Sequence, residues 1–157
     1  MEYPCFLTID ASSYEDTAHP VAIAWSLADG TVKTTLIQPE EDWEDWDYAL
    51  EELHGISQNT VYERGETLWS VILELENDLD RPFLQCDDIE RCEMLLERMY
   101  DACGRDLTLE ISHHGEELND QVNRDDWYLD TAFHNQPCDE RVRLMLLLWD
   151  EFRTERS

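Results

Sequence analysis

A histidine and an aspartate near the end of the chain have the types and spacing to do chemistry together. His134 precedes Asp139 by five positions in the segment AFHNQPCDERVRLMLLLW, where the aspartate opens a long apolar helix. A histidine titrates near neutrality and can take a proton from water, and a carboxylate is a hard oxygen ligand for Mg²⁺ or Mn²⁺. The pair predicts a general base beside a metal ligand, provided that matching carboxylates lie upstream. The alternative is an exposed histidine and an aspartate that only favours the helix dipole.

The elements that must position such a site begin with three predicted strands. Residues 5–10 and 21–27 are apolar runs separated by a polar turn, and Asp29-Gly30 leads directly into a third β-rich run at residues 31–37. Asp-Gly between two such runs is a strong hairpin signal. We expect a three-stranded meander.

Helical patterns dominate the chain after Pro39. Residues 65–79 and 89–103 predict two helices, the second ended by Gly104, and residues 138–152 predict the last one. An earlier amphipathic helix with an acidic outer face is predicted by apolar residues at three- and four-residue steps, namely Trp43, Trp46, Leu50 and Leu53.

Two brief apolar runs complete the predicted sheet. Residues 82–86 and 106–111 predict the fourth and fifth strands, and a polar, weakly patterned stretch then continues to about residue 130. The order of elements predicts an α/β fold with a five-stranded mixed sheet, the meander first, flanked by helices. Neither a repeat nor a linker interrupts residues 1–157, so we expect a single domain.

The charge of the chain is strongly acidic. Thirty-eight Asp and Glu face eleven Lys and Arg, which gives a net charge of −27, and Lys33 is the only lysine. Such a surface repels phosphate backbones, and no basic run interleaved with aromatics forms an ordinary nucleic-acid groove. Three explanations stay open: a solubilising surface, adaptation to high salt, and an acidic face that mimics nucleic acid or docks on a basic partner. For the last, residues 40–52 are the expected contact.

Cysteine and histidine usage gives no zinc-site pattern. The five cysteines are irregularly spaced without a CxxC pair, which predicts reduced, mostly buried thiols in a cytoplasmic protein. His113 and His114 are adjacent and diverge on any regular element, so we expect a solvated loop there. The N-terminus has no basic region, and no apolar run approaches the roughly 18 residues of a membrane span. We therefore expect neither a signal peptide nor contact with a membrane.

The order of elements and several local segments resemble the DEDDh 3′–5′ exonuclease family, relatives of the proofreading exonuclease with the ribonuclease H-like fold. The matching segments are IDASS after the first strand, HPVAIAWSLADG over the hairpin, LIQPEEDWEDWD after the third strand, HGIS at residues 54–57, and the terminal H-x4-D. The resemblance implies two-metal phosphodiester hydrolysis, in which four carboxylates hold two Mg²⁺ or Mn²⁺ ions and the histidine activates water. The implied substrate is the end of a single-stranded nucleic acid.

Two of the four carboxylates that the resemblance implies are missing. Alignment on the A-S-S tail makes Asp10 the second acid of the first motif and places Thr8 where the first acid belongs. The other register makes Asp10 the first acid and places Ser12 at the second. The second motif falls on Cys92, a soft ligand that suits magnesium poorly, although Asp87 or Asp88 could compensate.

The residues that fit the implied roles are Asp10 and Asp139 as metal ligands and His134 as the base. When catalytic groups act as a unit, the effects of removing them are not additive, and the loss of one group can remove most of the catalytic rate. We expect a non-hydrolytic binding or regulatory protein that contacts a protein partner through its acidic surface. The alternative is a weak or rescued metal-dependent 3′–5′ exonuclease that acts on single-stranded ends.

Overall fold

Alternating apolar runs, turns and amphipathic stretches produce an α/β architecture in the computed structural model, which describes residues 2–153. The strands are β1 Leu7–Ala11, β2 Pro20–Ser26, β3 Val32–Leu36, β4 Phe83–Cys86 and β5 Glu110–His113. The helices are α1 Tyr48–His54, α2 Gln58–Arg64, α3 Leu68–Asp78, α4 Ile89–Ala102, α5 Arg124–Asp130 and α6 Cys138–Phe152, with a 3₁₀ turn at Phe133–Asn135.

The first three strands form the predicted antiparallel meander. β1 pairs with β2, and β2 pairs with β3. The hairpin between β2 and β3 closes with a hydrogen bond from the Leu27 amide to the Thr31 carbonyl (2.8 Å). Gly30 has a φ of 88°, in the left-handed region that glycine adopts without strain. The Asp-Gly signal in the sequence therefore located this turn correctly.

The remaining two strands form a separate parallel pair. β4 pairs with β5, and one bridge between Phe6 and Gln85 joins the pair to the residue that precedes β1. The predicted continuous five-stranded sheet is not confirmed, because the described residues form sheets of three and two strands. The fifth strand also begins later than predicted, at Glu110. Leu107 and Leu109 lie in irregular backbone and both pack against the core. Their alternate spacing is the same as that of a half-buried strand, which explains the early start that the sequence predicted.

The two faces of β1 meet different helices. Leu7 and Ile9 belong to a core that includes the inner faces of α3 and α4. Phe6 belongs to a second core with α6, and Thr8 and Asp10 hydrogen-bond to the first residue of that helix. Because side chains alternate along a strand, Thr8 and Asp10 share the α6 side. Thr8 and Asp10, the residues of the first predicted motif, therefore lie against the start of α6.

Three helices differ from the sequence prediction. α1 begins at Tyr48, where the Asp47 side chain accepts the Ala49 amide as an N-cap, so Trp43 and Trp46 precede the helix. The Trp43 ring instead stacks on His19, with ring centroids 5.5 Å apart. The short helices α2 and α5 lie in stretches without a regular apolar stripe, and α5 contains no buried residue. Nothing in their periodicity could have indicated them.

The cysteines agree with the expectation of mostly buried thiols. All five cysteines are free thiols, and three of them are buried, namely Cys86, Cys92 and Cys138. Among the helices of the described residues, none combines the length and the apolar character that a membrane crossing requires.

Candidate functional site

A cleft of about 190 Å³ lies where β1 and β4 end and where α4 and α6 begin. The carboxyl ends of parallel neighbouring strands meet at one edge, which is where α/β folds place their ligand sites. The cleft brings together four of the five predicted site residues, namely Asp10, Asp87, Asp88 and His134. Asp139 does not line it.

Both carboxylate oxygens of Asp10 are used to hold α6 in place. Oδ1 accepts a hydrogen bond from Arg141 Nη2 (2.8 Å), and Oδ2 accepts one from the Cys138 amide (3.0 Å). The residue before α6 is Pro137, whose side chain makes no capping hydrogen bond. Asp10 therefore acts as the N-cap of α6 although it lies in β1, because it accepts the Cys138 amide that has no partner within the helix.

Arg141 links the two acidic sides of the cleft. Besides Asp10, its guanidinium lies 3.4 Å from Asp87 Oδ2 and donates to the Ile9 carbonyl (3.1 Å). The side chain is only 12% exposed, so its charge is largely removed from water and depends on these acceptors. A cation already lies between the carboxylates that a metal ion would have to share. Arg141 was not predicted as a site residue, because its partner Asp10 lies 131 positions away in the chain.

The predicted base and the predicted metal ligand have different surroundings. His134 lines the cleft and is exposed, with its ring stacked on Tyr128 at a centroid distance of 5.3 Å. Asp139 pairs with Arg143 on the outside of α6 (2.9 Å). The prediction that these two residues act side by side is not supported by their positions: only His134 faces the cleft.

The residues that the predicted alignments put in place of acids are packing residues. Thr8 is fully buried and donates to the Cys138 carbonyl (2.7 Å). Cys92 is also buried, and a hydrogen bond with the Cys86 thiol together with burial raises its pKa well above the ordinary value. A thiol held in the neutral form is a poor ligand for a hard cation. In the other register, Ser12 is equally occupied, accepting the His19 amide (3.0 Å).

Asp88 and His54 have local structural partners. Asp88 caps α4, with Oδ1 accepting the Arg91 amide (3.1 Å). His54 lies in the HGIS turn, where Nδ1 accepts the Ile56 amide (3.3 Å), and burial lowers its pKa, so the ring is neutral near pH 7. The HGIS segment served only as a landmark in the sequence, so the position of His54 in the cleft was not predicted.

Two divalent ions do not fit the donors present in this cleft. Within residues 2–153, no three side chains of His, Cys, Asp or Glu are arranged to share one metal ion. Asp10 is saturated by a helix amide and a guanidinium, and Asp139 is on the outer side of α6. We therefore assign no catalytic step through a metal to these residues.

Comparison with known proteins supports the fold. No family model matches the chain, and no curated protein matches it in sequence. The solved structure of E. coli Exonuclease I in complex with a 5cy-dA13 oligonucleotide is similar, with a TM-score of 0.64 and 11% identity, over 94% of this chain and 40% of that one. A structure of apo Exonuclease I gives 0.66 and 11%, over 94% and 42%.

A third similar structure comes from another organism. Exonuclease I from Methylocaldum szegediense, described as moderately thermophilic, gives a TM-score of 0.56 and 12% identity, over 76% of this chain and 30% of that one. The chain thus spans less than half the length of these proteins. At such identities the similarity shows the fold alone, and it confirms the predicted exonuclease-like fold.

Proposed function

We propose that this chain is a non-hydrolytic protein of the exonuclease fold that binds a protein partner through its acidic surface. The observation that carries this proposal is the Arg141 guanidinium between Asp10 and Asp87. A fixed organic cation there satisfies the carboxylates that hydrolysis would need for metal ions. Asp10, from the first predicted motif, thereby holds α6 against the sheet. Its carboxylate is neutralised without a metal ion.

The distribution of acidic residues supports a basic partner. Beside the net charge of −27, a surface cavity of about 510 Å³ is lined by Glu40, Asp42, Glu97 and Asp101, with Arg98 as its basic member. Clefts lined by one sign of charge focus the field and attract partners of opposite charge. Trp43 and Trp46 are partly buried in the preceding loop, so Tyr48, 68% exposed, is the aromatic residue of this region that a partner can reach.

A weak metal-dependent 3′–5′ exonuclease on single-stranded ends is the second candidate. One observation favours it: Asp10, Asp87 and Asp88 converge on a cleft that His134 also lines. If Arg141 moved aside, Asp10 and Asp87 could meet one Mg²⁺ or Mn²⁺ ion, with His134 nearby as a base. In that case the fold would keep a reduced form of the implied chemistry.

The test measures Mg²⁺- or Mn²⁺-dependent release of nucleotides from a labelled single strand. The comparison variants are the Asp10→Ala, Asp139→Ala double variant and His134→Ala, whose exposed side chain can be removed without disturbing the core. No release, or equal release from all three proteins, supports a binding protein. Release that both variants abolish, with His134→Ala still folded by circular dichroism, would establish the exonuclease.

Two further expectations belong to the same proposal. A cytoplasmic location agrees with free, mostly buried thiols, and descent from a DEDDh enzyme of the ribonuclease H-like fold agrees with the shared architecture. Both stay predictions, as does the single domain over residues 1–157.

A further inference from the structure

Another cavity lies at the opposite end of β1 from the cleft. It has a volume of about 930 Å³ and is bounded by the N-terminal segment before β1, the turn after α3, and the end of α6. Its wall includes Gln85 of β4, which points away from Leu84 and Cys86 because side chains alternate along the strand. The cavity therefore opens on the α6 side of the sheet.

Gln85 presents an unpaired polar atom in this wall. The residue is 2% exposed, and its Oε1 has no hydrogen-bond partner among the described residues. Leaving a buried acceptor unsatisfied costs free energy, so native structures usually give such atoms a partner or a ligand. A methionine would fill the same space without that cost. The unpaired amide oxygen of Gln85 therefore contributes no hydrogen bond to the fold and is a candidate acceptor for a ligand in the cavity.

The surrounding charges indicate the sign of that ligand. The walls carry five acidic side chains (Glu2, Asp78, Asp80, Glu116 and Glu117) and two basic ones (Arg81 and Arg153). Aromatic rings complete the lining: Trp149 lies 5.3 Å from Tyr3 between ring centroids, and Phe83 is half-buried. Carboxylates, an amide oxygen and ring faces together suit a donor-rich planar cation.

We propose that this cavity binds the guanidinium of an arginine side chain presented by a basic protein partner. Arginine carries five N–H donors in a plane, which can reach the Gln85 oxygen and a wall carboxylate while the plane lies on an aromatic ring. The inference rests on the proposed function, since it names the chemistry by which the acidic surface takes its partner. Glu117 and Arg153 already contact Trp149, which fixes the ring that the ligand would meet.

The experiment titrates the ¹⁵N-labelled protein with N-acetyl-arginine methylamide and follows amide and indole resonances by NMR. N-acetyl-citrulline methylamide, which has the same shape without the charge, is the control ligand. We expect the Gln85 side-chain amide and the Trp149 indole to shift first and to saturate with arginine only. Shifts spread evenly over the acidic surface, or equal shifts with citrulline, would overturn the assignment.

Matched variants separate the cavity from general acidity. Gln85→Met should fold at least as stably as the parent and bind arginine about tenfold more weakly, because a hydrogen bond to a charged group is lost. Glu116→Gln should weaken binding, whereas Glu63→Gln, which removes the same charge from an exposed position of α2 outside both acidic cavities, should not. Unchanged affinity in Gln85→Met would refute the proposal. If the chain proves to hydrolyse single strands, the proposed function fails while these shifts still test the cavity.

Discussion

Arg141 and Arg143 lie two positions apart in α6 and differ in burial, with side chains that are 12% and 48% exposed. Arg141→Gln should lower the free energy of unfolding by about 3–5 kcal/mol, because it leaves two largely buried carboxylates without their counter-charge. Arg143→Gln breaks an exposed pair with Asp139 and should cost about 0–1 kcal/mol. Urea denaturation of both variants provides the comparison.

The same variant also tests the alternative function. If Asp10 and Asp87 form a latent metal site, Arg141→Gln should regain stability in millimolar Mg²⁺ while the parent protein does not respond. We expect no such recovery, because Cys138 still donates its amide to Asp10 and Thr8 supplies no carboxylate. A magnesium-dependent rise in stability would favour the exonuclease.

His114 makes stability depend on pH. The sequence suggested a solvated loop, but His114 is 2% exposed and its Nε2 lies 2.6 Å from the Tyr128 hydroxyl. Burial, followed by the nearby charges of His113 and Arg124, lowers its pKa from 6.5 to about 3. The ring is therefore neutral in the folded protein, whereas the unfolded chain takes up a proton as pH falls through 6.5.

It follows that the free energy of unfolding should fall as pH is lowered from about 6.5 towards 3, by up to about 1.4 kcal/mol per pH unit from this residue. Carboxylates titrate in the lower part of the same range, so the informative quantity is the difference between the parent and His114→Gln. That difference should shrink as pH falls. His134→Gln, the same substitution at an exposed position, is the matched control.

At the scale of elements, the sequence predicted what periodicity and turn chemistry encode. The meander, α3, α4 and α6 have apolar stripes or an Asp-Gly turn, and the structure contains all of them. α5 buries no residue, so its sequence holds no stripe to find. The start of α1 was mistaken because Trp43 and Trp46 have helical spacing but pack in a loop. Arg141 could not be predicted, because its partner Asp10 lies 131 positions away in the chain.

The packing of α6 on β1 predicts the outcome of restoring the missing acid. Thr8→Val should cost about 1 kcal/mol, the hydrogen bond to the Cys138 carbonyl. Thr8→Glu places a carboxylate in a fully buried site beside Asp10, and we expect a loss of about 3 kcal/mol or more. Nucleotide release should stay absent in both. A Thr8→Glu variant that is as stable as Thr8→Val, or that gains Mg²⁺-dependent release, would show that the cleft still accommodates metal ions.

At the scale of the whole molecule, the two sides of the meander pack against different helices. One side packs on α3 and α4, and the other holds α6, whose start is fixed by Thr8 and Asp10. The Exonuclease I structures that are similar in fold cover 94% of this chain at 11% identity. Where β1 meets α6, the charge of the buried Asp10 carboxylate must be balanced. Arg141 supplies this balance.

The net charge of −27 should make stability depend on salt. Like charges repel in the compact state, and salt screens them over a Debye length that falls from about 10 Å at 0.1 M to about 3 Å at 1 M. Tm should therefore rise with NaCl, by roughly 2–4 °C for each kcal/mol of repulsion removed. Sucrose at matched osmolality is the control for excluded-solute effects. A Tm that falls with NaCl would show that ion pairs outweigh repulsion.

The shape of that salt response distinguishes the explanations for the acidic surface. Screening of ordinary repulsion is largely complete once the Debye length is shorter than the spacing of surface charges, so Tm should level off by about 0.3 M NaCl. A rise that continues to molar salt would instead favour adaptation to a saline environment. Glu97→Gln with Asp101→Asn, which relieves repulsion at one acidic cavity, should raise Tm at low salt and not at high salt. We expect the early plateau, because an acidic surface that binds a basic partner attracts that partner only at salt concentrations too low to screen its charges.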